Sequence, residues 1–430
     1  MHNDKLVTLT IDDQTVHAPA GIPVVDAIKR LGIEIPVFCY HPKLEPAGAC
    51  RMCLVEAGTV MRDRETGEVR RDEAGNPLIR WFPKLQTACT LRTMEGLVVR
   101  TNTEAVIEAR REILEFLLTS HPLDCPICDK GGECPLQNLT LAHGPTVSRF
   151  DYADKMHLDK RVPLGDLIIL DRERCILCGR CIRFQEEIAG DPVLAFLHRG
   201  RHAEIITHSD PPFDSIFSGN TTDICPVGAL TSADFRFGAR PWELTRTPSI
   251  CPHCPVGCNL TLDTRPEGRR GIPVIKRVMP RQNEQVNEIW ICDKGRFGHH
   301  HARAEDRLQT PLIRRDGELR PATWKEALDL VAQRLQEIKK AHGPGALGGV
   351  AGDRLSNEDL FLFQALLRQG LGTPHVDAYP AVAGAEVVAR FGLPQESDFG
   401  RWGRGTTILV DSSENVNRLR LKLAEQNITG

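Results

Sequence analysis

Fifteen cysteines in a chain of 430 residues fall into four groups, and one added histidine completes sixteen ligands with no cysteine left over. The groups are Cys39/Cys50/Cys53/Cys89, His121/Cys125/Cys128/Cys134, Cys175/Cys178/Cys181/Cys225 and Cys251/Cys254/Cys258/Cys292. A chain spaced in this way must fold so that its loops deliver ligands four at a time. Thiolates bind soft metals and iron–sulfur cores, and a cluster needs several cysteines on one tight loop. The simplest reading is a series of metal centres, an electron wire.

Composition narrows the setting. With 41% hydrophobic and 26% charged residues and a formal net charge of −3, the chain reads as globular, with no electrostatic pull toward nucleic acid. No apolar run approaches the roughly 20 residues needed to cross a bilayer. Residues 1–13 alternate as a strand (Leu6, Val7, Leu9, Ile11) and lack the charged-then-apolar layout of a signal peptide. A cytosolic setting is therefore expected, in which thiols stay reduced and dense cysteines are metal ligands rather than disulfides. The odd cysteine count argues the same way.

The length implies several domains, and the pattern is α+β. Residues 1–100 open with a strand, a turn at His17–Pro23 and a short helix over Pro23–Leu31; the loop carrying Cys39 to Cys53 follows. Val60–Lys84, with turn signals at Glu65-Thr-Gly and Ala74-Gly-Asn-Pro, reads as an inserted β-hairpin. In residues 101–145, a helix over Thr103–Thr119 carries Ala105, Val106, Ala109, Ile113, Leu114, Phe116 and Leu117 at helical spacing and delivers the chain to His121. Residues 146–245 hold the third cysteine group and residues 246–302 the fourth. Residues 303–430 are cysteine-free α/β. A helix over Thr323–Ala341 is capped by Thr323 and Glu326 and striped by Leu328, Val331, Leu335 and Ile338. A strand at Ala346–Ala351, a helix at Asn357–Leu371 and a strand at Thr406–Val410 follow, and the last domain looks incomplete at Gly430.

The first group, C-x10-C-x2-C-x35-C, has Gly48 and Ala49 ahead of Cys50, small residues that let backbone approach a core. Its strand–helix–strand approach looks ferredoxin-like and favours [2Fe–2S] over zinc. The second, H-x3-C-x2-C-x5-C, places His121 just ahead of three thiolates, where a neutral imidazole ligand makes a cluster less negative and raises its potential. The alternative is a three-cysteine [3Fe–4S] cluster with His121 as a bystander. In the third, C-x2-C-x2-C and Cys225-Pro226 resemble half of a two-cluster bacterial ferredoxin, in which each run's fourth cysteine serves the other run's cluster. The erased cluster's four positions fall on Gln185, Ser215, Ser218 and Thr221, all non-cysteine. The fourth, C-x2-C-x3-C-x33-C followed by Asp293-Lys294-Gly295, looks like the [4Fe–4S] motif that opens the molybdopterin oxidoreductases. Two other signals are set aside. Gly343-Pro-Gly345-Ala-Leu-Gly348 follows a helix, the reverse of a phosphate-binding turn. The His299–His301 run could bind metal but reads as a solvated polar stretch.

Taken in order, these motifs resemble the large iron–sulfur subunit (the G subunit) of NADH-quinone oxidoreductase, respiratory complex I. NAD-linked formate dehydrogenases and, over the first half, iron hydrogenases share part of the pattern but normally keep both ferredoxin clusters. The resemblance implies a ferredoxin-like β-grasp, iron–sulfur loop domains and the start of a molybdopterin-type α/β domain. It implies one [2Fe–2S] and three [4Fe–4S] clusters on the groups above, and no residue doing substrate chemistry. The region near Asp377–Leu393 offers Ala381, Val382 and Ala383 and no soft ligand, so no molybdenum is expected. Electrons would come from NADH through FMN on a partner subunit and leave toward quinone through other peripheral-arm subunits. The protein would be peripheral, on the cytoplasmic side of a bacterial inner membrane, and reach the membrane only through the complex. The first cluster would lie near the flavin subunit, with the fourth off the main route. A zinc-stapled scaffold is the non-redox alternative.

Overall fold

The computed structural model describes residues 5–379 except 211, 255 and 353, in two compact units divided between Leu244 and Thr245. In the first unit, β1 (Leu6–Ile11) and β2 (Gln14–Pro19) form a hairpin turned by Asp12 and Asp13, whose φ angles of 44° and 64° are left-handed. The expected turn from His17 onward is therefore corrected: the strand runs through Pro19. Its inward positions are Val16 and Ala18, and the small alanine leaves the alternation faint.

The helix α1 (Val24–Lys29) lays Val24, Val25, Ala27 and Ile28 on a mixed sheet. That sheet also contains β3 (Leu54–Val60), β4 (Ile79–Trp81), β5 (Gln86–Thr87) and β6 (Leu97–Arg100). β6 lies parallel to β1 (Thr10 opposite Val98) and antiparallel to β3 (Val99 opposite Ala57). Leu9, Ile11, Val55, Leu97 and Val99 close this core, and Cys53 and Cys89 are buried within it. Each such side chain contributes about 1.5–3 kcal/mol on burial. The inserted hairpin is present between β3 and β4 as an exposed arm. Its turns are held by Asp63 and Asp72, whose carboxylates accept backbone N–H groups two to four residues on.

α2 (Glu104–Ser120) buries Val106, Arg110 and Leu114 and ends at His121. Phe116, expected on the inward face, is instead 75% exposed. Arg110 reaches from this helix to donate to the Leu54 carbonyl at 3.0 Å. α3 (Pro135–His143) begins directly after Cys134. Beyond it, β7 (Val162–Pro163) and β8 (Ile168–Leu170) pair. α4 (Arg180–Arg183) carries Cys181, the last cysteine of the run, and β9 (Leu194–Leu197) pairs with β10 (Glu204–Thr207). α5 (Asn220–Ile224) ends at Cys225, and β11 (Leu230–Ser232) returns to β8.

In the second unit, β12 (Thr245–Ile250), β13 (Asn259–Glu267) and β14 (Ile272–Pro280) form an antiparallel sheet, and α6 (Asp293–Phe297) starts at Cys292. A hairpin of β15 (Leu312–Arg315) and β16 (Glu318–Pro321) precedes α7 (Trp324–His342). α7 carries the expected reciprocal cap: Thr323 Oγ1 accepts from Glu326 N while Glu326 accepts from Thr323 N. β17 (Gly349–Gly352) and β18 (Val376–Tyr379) are parallel, with α8 (Asn357–Ala365) between them. The glycine run thus joins a helix to a strand. The expectation that His299–His301 is solvated is corrected in part, because His299 is buried and its ring nitrogen contacts the Arg296 carbonyl at 3.3 Å. The strand expected at Thr406–Val410 and the stretch Ala381–Ala383 lie outside the described residues. Among the described residues, no helix is long and apolar enough to cross a membrane.

Candidate metal centres

None of the fifteen cysteines forms a disulfide. In the first group, Cys39 N donates to Cys50 Sγ at 3.4 Å and Cys50 N to Cys39 Sγ at 3.5 Å. Gly48, with φ of 62°, takes a left-handed step in this loop that a side chain would strain, and a Cβ there would come within 3.0 Å of Thr90 Cγ2. Hydrogen bonds from Cys50 and Cys89 hold the Cys39 thiol far below its usual range, and the contacts with Cys39 and Cys53 push Cys89 up. Cys53 is lowered by its bond with Cys89. The four sulfurs thus form one interacting set.

The third group shows the enclosure most clearly. Cys175, Cys178, Cys181 and Cys225 line one small cavity walled by Leu170, Ile205, Val227 and Leu230. Burial pushes Cys178 up to about 12 and raises Cys175 and Cys181 as well, with the neighbouring thiols adding to the effect. A buried thiol gives up its proton when a positive partner compensates, which is what a metal core supplies. This apolar pocket of four sulfurs fits a soft-ligand cluster. The four erased positions, Gln185, Ser215, Ser218 and Thr221, are all buried. Thr221 gives its hydroxyl to the Ser218 carbonyl at 2.6 Å, whereas both amide atoms of Gln185 lack a hydrogen-bond partner.

In the second group, Cys128 and Cys134 are buried and Cys125 is exposed. The pKa of His121 is held down at about 4, through burial and then the Arg174 cation, so the ring is neutral. Its Nδ1 is buried with no hydrogen-bond partner, as expected of a nitrogen reserved for a metal. The fourth group converges in the second unit. Cys251 is pushed to about 11 and Cys258 to about 12, by burial and by the other thiols of the group. Gly295 N donates to Cys292 Sγ at 3.4 Å.

Sequence spacing does not reveal the residues between groups. Gly228, three residues after Cys225, lies so close to the second group that a Cβ placed on it would be 2.1 Å from Cys128 Sγ. Cys134 Sγ contacts the Pro226 carbonyl at 3.7 Å, and Lys130 donates to the Thr222 carbonyl at 3.1 Å. Arg174, directly before Cys175, pairs with Asp124, directly before Cys125, at 2.8 Å. On the other side, Arg183 of α4 donates to the Cys39 carbonyl. Through these neighbouring residues the third group meets both other groups of the first unit, although it is last of the three along that unit. The only hint in the sequence is the arginines interleaved with the cysteines in Arg174-Cys175 and Gly179-Arg180-Cys181-Ile182-Arg183.

Five family models match. Residues 4–104 match a 2Fe-2S iron-sulfur cluster binding domain, and residues 110–149 the NADH-ubiquinone oxidoreductase-G iron-sulfur binding region. Residues 165–231 match the ferredoxin-like domain of NADH-quinone oxidoreductase subunit 3, 244–303 a molybdopterin oxidoreductase Fe4S4 domain, and 307–393 a molybdopterin oxidoreductase. The G subunit of NADH-quinone oxidoreductase from Streptomyces coelicolor is 46% identical over 386 residues, which are 89% of this chain and 42% of that protein. Subunit 3 of the Thermus thermophilus enzyme is 41% identical over 436 residues, covering 98% of this chain and 53% of that protein. This chain belongs to the G-subunit family of NADH-quinone oxidoreductases. It spans about half the length of these relatives. A solved structure of an NAD+-reducing [NiFe]-hydrogenase in the H2-reduced state is 31% identical, covers 54% of this chain and 90% of its own, and has a TM-score of 0.44. As a member of the G-subunit family, the chain has an N-terminal 2Fe–2S domain, then 4Fe–4S domains, then a molybdopterin oxidoreductase region.

Proposed function

We propose that this chain is an electron-transfer subunit of an NADH:quinone oxidoreductase. In this reading it relays single electrons from NADH and FMN on a partner subunit toward quinone, in a complex that translocates protons. Cys39, Cys50, Cys53 and Cys89 hold one [2Fe–2S] cluster. His121 with Cys125, Cys128 and Cys134, then Cys175, Cys178, Cys181 and Cys225, then Cys251, Cys254, Cys258 and Cys292, each hold one [4Fe–4S] cluster. A bound cluster supplies a reversible one-electron centre. The chain's own residues bury or half-bury every ligand cysteine except the exposed Cys125, and they donate backbone N–H groups to the sulfurs of Cys39, Cys50, Cys175 and Cys292. No residue here performs acid–base or nucleophilic chemistry. For one electron, about 59 mV changes an equilibrium tenfold, so small differences in burial and hydrogen bonding decide the direction of flow.

The observation that carries the reading is the central place of the third group, in contact with the loops of the first group through Arg183 and of the second through Pro226 and Gly228. A relay needs such adjacency; separate structural staples do not. The route within the first unit then runs from the first group through the third to the second. The fourth group serves structure, residues 303–430 are a molybdopterin-type scaffold without its metal, and the other peripheral-arm subunits are the partners. The protein sits on the cytoplasmic face of a bacterial inner membrane, held there by the complex.

The test uses the assembled complex carrying Cys178→Ser. The expected result is loss of NADH-driven quinone reduction, while reduction of an artificial acceptor that takes electrons directly from the flavin persists. Quinone reduction at the unmutated rate would overturn the relay.

A further inference from the structure

α4 reaches across to the loop that carries Cys39. Arg180 donates to the Tyr40 carbonyl and, at 3.2 Å, to the Ile224 carbonyl. Arg183 donates to the carbonyls of Cys39 and Glu45, and Glu187 accepts from Glu45 N at 2.8 Å. Tyr40 follows Cys39, and Ile224 precedes Cys225. The guanidinium of Arg180 is therefore anchored to backbone directly after Cys39 of the first group and directly before Cys225 of the third. The acidic groups acting on it are Cys178, Cys225, Cys39 and Cys50, two from each set.

Arg174, at the other end of the same cysteine run, makes the contrast. It pairs with Asp124 at 2.8 Å and with Asp171 at 3.2 Å, so carboxylates neutralise it locally. Arg180 is half-buried and bonds to carbonyls, and its Nε has no partner. A positive charge without a carboxylate beside it, in a partly desolvated place, acts strongly on nearby redox groups, because reduction adds negative charge that it stabilises.

We propose that Arg180 is a shared positioning residue that fixes the spacing of the first and third centres and raises the reduction potential of both. Removing its charge therefore moves the two potentials together. The step concerned is the passage of one electron from a reduced centre to its oxidised neighbour, with no bond made or broken. This inference rests on the iron–sulfur reading above.

The experiment is a potentiometric titration of the whole complex with EPR detection, comparing unmutated protein, Arg180→Gln and Arg180→Lys. In Arg180→Gln the first and third centres should both titrate lower by roughly tenfold in the one-electron equilibrium, about 59 mV. The second centre should stay in place. Arg180→Lys should restore most of the shift. The proposal is overturned if either centre keeps its potential in Arg180→Gln, or if lysine shifts both as far as glutamine does. If Arg180→Gln assembles no clusters, Arg180→Lys decides: potentials near the unmutated values uphold the shared charge, and shifted ones overturn it. Unmutated protein lacking iron and labile sulfide would instead overturn the reading underneath, and this inference with it.

Discussion

The third and fourth cysteine groups are built from nearly the same element, a C-x2-C-x2-C or C-x2-C-x3-C run completed by one distant cysteine, yet their surroundings differ. Cys181 and Cys225 belong to a core of sixteen buried residues that also holds Phe38, Met52, Leu114 and Cys134. Cys251 belongs to a core of four, with Leu260, Val278 and Ile291. The third group is also cross-linked to its neighbours through arginine-to-carbonyl bonds and the Gly228 contact. Within its own unit, the fourth has no second cysteine group to meet. Under the proposed function the same local motif serves two purposes: embedded in a shared core it would be part of a relay, and with little core of its own it would depend on metal to hold a small sheet together.

The comparison breaks most visibly on metal removal. Stripping iron should unfold the fourth group's surroundings, residues 245–303, because few apolar contacts remain there to offset chain entropy. Residues 160–232 should keep partial protection. Hydrogen exchange before and after anaerobic chelation checks this, and equal loss in both segments would erase the distinction. Next in size, Leu114→Ala should cost about 3 kcal/mol by opening a cavity in the larger core, seen as a lower denaturation midpoint of the first unit. Gly228→Ala should cost about 2 kcal/mol by overpacking against Cys128 and should lower iron content by about four per chain. Gly295→Ala sharpens the contrast, since its Cβ would meet Cys251 Sγ at an ordinary 3.4 Å and iron content should hold. The smallest effect is Thr323→Ala, about 1 kcal/mol from loss of the α7 cap, with every cluster signal unchanged.

Much of this is legible in the sequence because it is local. The thiol groupings come from spacing, the α7 cap from Thr323 and Glu326, and the inserted hairpin from its turn residues. What escapes is non-local or weakly patterned. β2 is hidden because Ala18 contributes little apolar contrast. Phe116 sits on a helical stripe yet points outward, because spacing alone does not say how wide the buried face is. The adjacency of the third group to both others depends on Arg174, Arg180, Arg183 and Gly228, residues whose partners are 44 to 144 positions away along the chain or are fixed by one close approach. No periodicity encodes such contacts.

The central claim is that sixteen ligands gather in fours around iron–sulfur cores, and elemental analysis tests it most directly. Anaerobically purified full chain should contain about fourteen irons with matching acid-labile sulfide and should give cluster EPR signals on dithionite reduction. A colourless preparation holding about four zinc ions per chain and no labile sulfide would contradict it.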